Sequence, residues 1–344
     1  MSSGSQTDAL PLLVYMSPPA RLLERLEERD DLPRWFAHPI MKAGFRVRFR
    51  EPGVSGGRQA HRLLRDGPLA QLFFSIGPGE VWAGLRLHRR APVCTLYQSW
   101  PLDVMPLHKR LAYRLVFRRS AVIVVYDAIS EHYVRIRFPD KPVVRLGLFV
   151  DTDYFTPGQR DPDCEPFVLC PGNHRRDERL IVEIARRLDV PVVRMFYSER
   201  VRRYYRENVH GNVALEDNVP FERVRTLYRD ALAVMNVADD RFWPVGITTF
   251  CEALAMNKAI VTTAGHCSAG YEFPDGMRPY LTVKRHDDVG EWVGQMKVAL
   301  NGGLAFEDGR SPRDLALAMC SEAAAVATWG RVKELLGSRA RTGT

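Results

Sequence analysis

The stretch Trp243-Pro-Val-Gly-Ile-Thr-Thr-Phe-Cys-Glu-Ala-Leu-Ala-Met-Asn-Lys-Ala-Ile-Val-Thr-Thr263 decides how this chain is read. Ala233–Val237 before it and Ala259–Thr262 at its end are short, apolar and partly β-branched, and so read as strands. Between them, apolar residues recur at helical spacing over about 248–256. Gly246 lets the backbone come close to a ligand. Thr248 or Thr249 is the expected N-cap, with Glu252 in the first turn. The free N–H groups and dipole of such a helix start suit an anion. An acid at position 252 would oppose phosphate if it pointed inward, but it could accept hydrogen bonds from a ribose. An ordinary capping box, Thr249-x-x-Glu252, explains the same residues, and the local pattern favours it.

Working outward, the same alternation fills the chain. Upstream of a Pro/Gly/Asp-rich break, strands are expected at Leu12–Met16, Phe45–Phe49, Leu72–Ile76, Val93–Leu96, Val122–Val125 and Val143–Leu146, with a helix over Arg21–Arg29. After the break they are expected at Phe167–Cys170, Val192–Phe196, Val213–Leu215, Ala233–Val237, Ala259–Thr262 and Tyr280–Val283. Helices are expected at about 177–188, 199–208, 221–230, 248–256 and 287–300, then one long helix from Asp314 to about Leu336. Alternating strands and helices mean parallel sheets covered on both faces. The expected division is 1–150, a linker at 151–166, 167–320, and a helix and tail at 321–344 that packs back on the first part.

Composition narrows the function. The chain has 344 residues, 46% hydrophobic and 26% charged, which excludes a disordered or collagen-like protein. A formal net charge of +8 favours anionic partners without choosing among them. The six cysteines include no CxxC pair and read as reduced thiols. No apolar run is long enough to span a bilayer. Met1–Asp8 lacks the charged and apolar regions of a signal peptide, so a cytoplasmic protein is expected. Leu107–Arg119 repeats Arg110, Arg114 and Arg118 along one helical face, with Leu111, Leu115 and Val116 on another. A solvated face is the plain reading, and peripheral contact with the inner membrane face is the functional one. Arg200-Val-Arg-Arg-Tyr-Tyr-Arg206 is basic and aromatic, but no nucleic-acid module accompanies it, and no nucleic acid is expected.

Residues Gly246–Thr263 resemble the donor-site motif of family 4 retaining glycosyltransferases: Gly, a short apolar/Thr run, Glu-Ala, small residues, a basic residue, then a strand. Three more segments resemble the same family in order and spacing. These are Arg145–Pro157 with Val150-Asp151 before Phe155-Thr-Pro157, Phe167–Leu180, and Val219–Ala231. Together they cover about residues 145–300. The resemblance implies an α/β fold of GT-B architecture, with two Rossmann-like domains facing a cleft. It implies transfer of a sugar, with retention, from a nucleotide-diphosphate sugar to an acceptor hydroxyl. No cofactor or metal is expected. Asp151-Thr-Asp153 is an Asp-x-Asp, but it falls in the interdomain match and reads as structural.

On this resemblance the donor site comprises Gly172, Asn173, Arg175, Arg176, Asn218, Val219, Gly246, Ile247, Thr248, Thr249 and Glu252. Arg176, with Arg175 second, would neutralise the diphosphate. Glu252 would take the ribose, and the backbone at Asn218 and Val219 the base. Arg176 and Glu252 are the residues expected to carry the chemistry. Two departures stand out. The family's first motif carboxylate falls at Pro244, leaving Asp239 and Asp240 as substitutes. The usual Arg…Lys pair becomes Asn173 and Arg175-Arg176. Tyr197, Ser17–Pro19, Gln98, Trp100 and His266 also follow strands and are placed to face the cleft, although packing for Trp100 and a plain loop for His266 are simpler. The acceptor, a lipid-linked glycan, a secondary metabolite or a protein, stays open. So do an epimerase of the same fold, a non-catalytic nucleotide- or glycan-binding partner of a transferase, and an RNA binder.

Overall fold

The computed structural model describes residues 12–15, 31–49, 71–73, 93–97, 102–173, 175–208, 212–239, 245–302 and 309–342. The expected helix over Arg21–Arg29, and Ser17–Pro19, Gln98, Trp100, Asp240 and Pro244, lie outside them. All twelve expected strands are present, every pairing parallel. In the first half, β1 (Leu12–Tyr15) pairs β2 (Arg46–Phe49), and β3 (Gln71–Phe73), β4 (Val93–Tyr97), β5 (Ser120–Val125) and β6 (Val143–Arg145) form a second sheet in that order. Among the described residues the α-helices here are α1 (Ala37–Lys42), α2 (Leu107–Arg119) and α3 (Ala128–Arg137).

The second half holds one six-stranded sheet. Its strands are β7 (Val168–Pro171), β8 (Val192–Phe196), β9 (Val213–Asp217), β10 (Ala233–Asn236), β11 (Ala259–Thr263) and β12 (Leu281–Val283). The spatial order is β12-β11-β10-β7-β8-β9. The order therefore reverses between β7 and β10, and loops after these two strands diverge to leave a crevice. The helices are α4 (Glu178–Ala185), α5 (Glu199–Glu207), α6 (Phe221–Asp230), α7 (Ile247–Ala255) and α8 (Val289–Leu300). Successive strand residues face opposite sides, as the period of two requires. Val168 and Cys170 pack with Ile181, Ile184, Trp292 and Met296 on one face. Leu169 and Val234 pack with Tyr228, Phe250 and Leu254 on the other. Fully burying one such side chain contributes about 1.5–3 kcal/mol.

The expected helix from Asp314 to Leu336 is two helices, α9 (Pro312–Met319) and α10 (Glu322–Thr342). Ser321 ends one by donating to the Leu317 carbonyl and starts the next by accepting from Ala324 N–H. The Cys320 carbonyl accepts from Val150 N–H at 2.9 Å, so the break is tied to the segment leaving the first half. A Cβ at Gly147 would overlap the Met319 carbonyl. Beyond the break, α10 packs on α1 and β5, with Trp329 edge-on to Phe45 at 6.0 Å. Arg34 joins this seam: it donates to both oxygens of Asp151, at 2.7 and 3.0 Å, and to Glu322 at 2.5 Å. Burial alone would raise the Asp151 carboxyl, but the Arg34 hydrogen bonds outweigh it and hold it below its ordinary value. Asp151 of the Asp-x-Asp is thus committed to a guanidinium.

Helix α2 buries Tyr113, Val116 and Phe117 against β4 and β5. Of the three apolar residues read as one face, only Val116 is inside; Leu107 and Leu111 are 60% and 55% exposed, and Leu115 is exposed too. No helix among the described residues is long and apolar enough to cross a membrane.

Candidate functional site

The crevice between β7 and β10 is built from two glycine turns. Gly172 follows β7 with φ +110°, and Gly246 precedes α7 with φ +86°. Both values lie where side-chain-bearing residues are strained. A Cβ at Gly172 would meet the Arg176 guanidinium at 2.5 Å, and one at Gly246 would meet Asn236 Oδ1 at 2.6 Å. Each glycine therefore makes room for a polar group beside it.

Arg176 sits between them, 6% exposed. It donates to the Pro171 carbonyl at 3.1 Å, to Asn236 Oδ1 at 2.9 Å and to Thr249 Oγ1 at 3.4 Å. Its backbone bridges Ala238 after β10, which pins the two loops together. Desolvation, reinforced by nearby Arg194, lowers the Arg176 pKa. Asn236 also donates to Thr262 Oγ1 at 3.0 Å and to the Gly246 carbonyl at 3.3 Å. Sequence reading missed Asn236; its signal is an amide closing the otherwise apolar strand Ala233-Val-Met-Asn236.

The start of α7 differs from expectation. Gly246 in the left-handed region is the N-cap, not Thr248 or Thr249, and no side chain caps the helix. Thr249 lies inside the first turn, so Glu252 falls in the second and the Thr249-x-x-Glu252 capping box does not form. Glu252 accepts from the Tyr228 hydroxyl at 2.9 Å. Burial and the neighbouring Glu252 push the Tyr228 phenol well above its ordinary value. Ile247 points into the core, while Thr248 is exposed. Lys258 donates to the Arg229 and Ala231 carbonyls, closing the end of α6.

The other expected residues are placed differently. Arg175, at φ 50°, donates to the Asp239 carboxylate at 2.8 Å and to its carbonyl, so Asp239 is paired. Asp177 caps α4 through Leu180 N–H at 3.0 Å. Asn173 Oδ1 accepts from Tyr197 N–H at 2.6 Å, bridging the ends of β7 and β8, and the Tyr197 ring is exposed. Asn218 and Val219 follow β9 at the sheet edge, with Asn218 at φ 53°. Beside them Glu216 and Asp217 pair with Arg223 and Arg202. The structure thus gathers Gly172, Arg176, Gly246 and Thr249 at the switch point and leaves Asn218 and Val219 two strands away from β7.

Next to this cluster lies a cleft of about 1110 Å³. Arg176, Arg179, Arg200, Asp239, Lys284 and His266 are among its walls, and Ile129 of the first half closes one side. Of its acids, Glu178 pairs with buried Arg194, Asp239 pairs with Arg175 and Asp177 caps α4, while Asp287 also lines it beside Lys284 and Arg285. A cleft with more cations than free acids suits an anionic ligand.

Two α/β halves, a reversed strand order and an anion-suited crevice at the carboxyl strand ends define the class: a two-Rossmann protein of GT-B architecture. No protein-family model matches the chain. No curated protein matches it either. Solved structures do. Sucrose-phosphate synthase from Thermosynechococcus elongatus is similar, with TM-score 0.72 and 12% identity over 96% of this chain and 100% of that one. A glycosyltransferase from Rickettsia africae has TM-score 0.67 and 12% identity over 94% and 98%. Anabaena HepE, in complex with UDP and glucose, has TM-score 0.63 and 12% identity over 95% and 99%. At these identities the likeness establishes the fold.

Proposed function

We propose that this protein is a glycosyltransferase that moves a sugar from a nucleotide-diphosphate sugar to an acceptor hydroxyl, with retention and without a metal. The observation that carries the reading is buried Arg176, tied through Asn236 and Thr249 to the uncapped start of α7. Transfer needs a diphosphate leaving group whose growing charge is stabilised, and preorganised donors are the strongest means of doing this. In this reading Arg176 and the N–H groups at Gly246–Thr249 would meet the diphosphate. Glu252 would meet the ribose. Three neighbours are a synthase of sucrose phosphate, a glycosyltransferase and a protein bound to UDP and glucose, which fits the same reading.

The test is a thermal-shift panel with UDP, GDP, ADP, CMP and dTDP, with and without EDTA. A ligand that binds only the native state raises the melting temperature by mass action. One nucleotide standing out, unaffected by EDTA, is expected. No shift with any of them would remove the donor site.

A further inference from the structure

Asp127 and His266 form a hydrogen-bonded pair between the two halves. Asp127 follows β5 and caps α3: Oδ1 accepts from Ser130 N–H at 2.8 Å and Oδ2 from the Ser130 hydroxyl at 2.7 Å. His266 follows β11, with Nδ1 3.0 Å from Asp127 Oδ1. Asp127 is 0% exposed and His266 6%. A carboxylate offers only acceptors, so Nδ1 carries a proton, and in the neutral ring Nε2 keeps a lone pair.

That lone pair is available. Nε2 has no hydrogen-bond partner among the described residues, yet it is not among the sealed, unpartnered side-chain atoms. His266 lines the cleft that Arg176 also lines, which leaves Nε2 as the ring nitrogen not taken by Asp127. The loop is fixed from both sides. Ala128 N–H donates to the Ala269 carbonyl at 3.1 Å. Gly270, at φ +86°, is packed by Arg145 and Ala128 where a Cβ would be.

We propose that His266 Nε2 accepts a hydrogen bond from a hydroxyl of the transferred sugar, in place of the carboxylate that the donor motif lacks at Pro244. The inference rests on the nucleotide-sugar reading. Asp239, the nearest carboxylate substitute among the described residues, is taken by Arg175. His266 belongs to the half that carries Arg176, so the cleft wall it forms lies on the donor side. Its partner Asp127 belongs to the other half, so the acceptor for this hydroxyl is correctly oriented only when the two halves are engaged.

The test is calorimetric binding of UDP and UDP-glucose, or the corresponding pair for the base the thermal-shift panel selects, to wild type, His266→Asn and His266→Gln. Asn keeps a donor for Asp127 at the Nδ1 position and has nothing at Nε2. Gln places an amide near Nε2. His266→Asn should weaken the nucleotide sugar about tenfold, the scale of one hydrogen bond to a buried group, and leave the free nucleotide within about twofold. His266→Gln should recover most of that loss. Equal weakening of nucleotide and nucleotide sugar, or no weakening of either, would overturn the proposal and make the pair a strut between the halves. Wild type binding no nucleotide and no nucleotide sugar would instead overturn the donor reading beneath it.

Discussion

At the scale of single residues, the crevice depends on one buried cation. Arg176→Gln keeps a side chain able to donate to Pro171 or Asn236 and removes the charge. Nucleotide affinity should fall about tenfold or more, since charge-assisted contacts to phosphate are among the strongest hydrogen bonds. The melting temperature should hold or rise, because burying a guanidinium is costly. Unchanged affinity, measured by calorimetry, would rule Arg176 out as the diphosphate ligand. Arg176 and the glycines beside it were legible in sequence, since a glycine turn after a strand and a basic residue just beyond it are local features. The contacts that define their geometry were not. Asn236 bonds Arg176 across 60 positions, and His266 meets Asp127 across 139. Only packing brings such pairs together. The N-cap of α7 was misplaced for a different reason: two threonines look like caps, but a left-handed Gly246 starts the helix before them.

At the scale of elements, central strands such as β5, β7 and β10 were legible because parallel strands buried on both faces are short continuous apolar runs. The break between α9 and α10 was not. The run through Cys320-Ser321 has no Pro or Gly, and its interruption is set by Val150, far away in sequence. Helix α2 shows how charge and exposure combine. Leu107, Leu111 and Leu115 face outward, and His108 and Lys109 are exposed beside them. Arg114, Arg118 and Arg137 line a groove of about 420 Å³ next to α3. We expect this face to bind vesicles containing anionic phospholipid at low salt, with each basic residue near the surface adding about 1 kcal/mol. Leu111→Glu should release the protein in a sedimentation assay. Equal sedimentation of wild type and Leu111→Glu would refute the contact.

At the scale of the whole molecule, buried phenols and the Arg34 seam set the pH range. Burial raises the pKa of Tyr97, Tyr205, Tyr228, Tyr271 and Tyr280 above the ordinary 10.0. A raised pKa in the folded state means stability that is complete below the unfolded value and lost as pH rises past it. Asp151 and Glu322 behave in the opposite way. Burial acts to raise both, but Arg34 on Asp151, and Lys42 with Arg34 on Glu322, hold them below their ordinary 3.8 and 4.5. Their contribution is present above those values and lost as pH falls through the lower folded-state ones. The melting temperature should therefore be flat between about pH 5 and 9 and fall on both sides. A melting temperature still flat at about pH 11, measured by calorimetry, would contradict the burial of these phenols.

The chain passes between the halves twice, and both passages meet at one place. Val150 is hydrogen-bonded to Cys320, and Gly147 lies against Met319. A joint crossed by a single strand is a tether, free to bend and twist in any direction. A joint crossed by two strands side by side works like the spine of a book. It permits opening about the line that joins them and resists sliding and twisting. In such a molecule Asp127 and His266 sit on facing pages and can touch only when the book is shut.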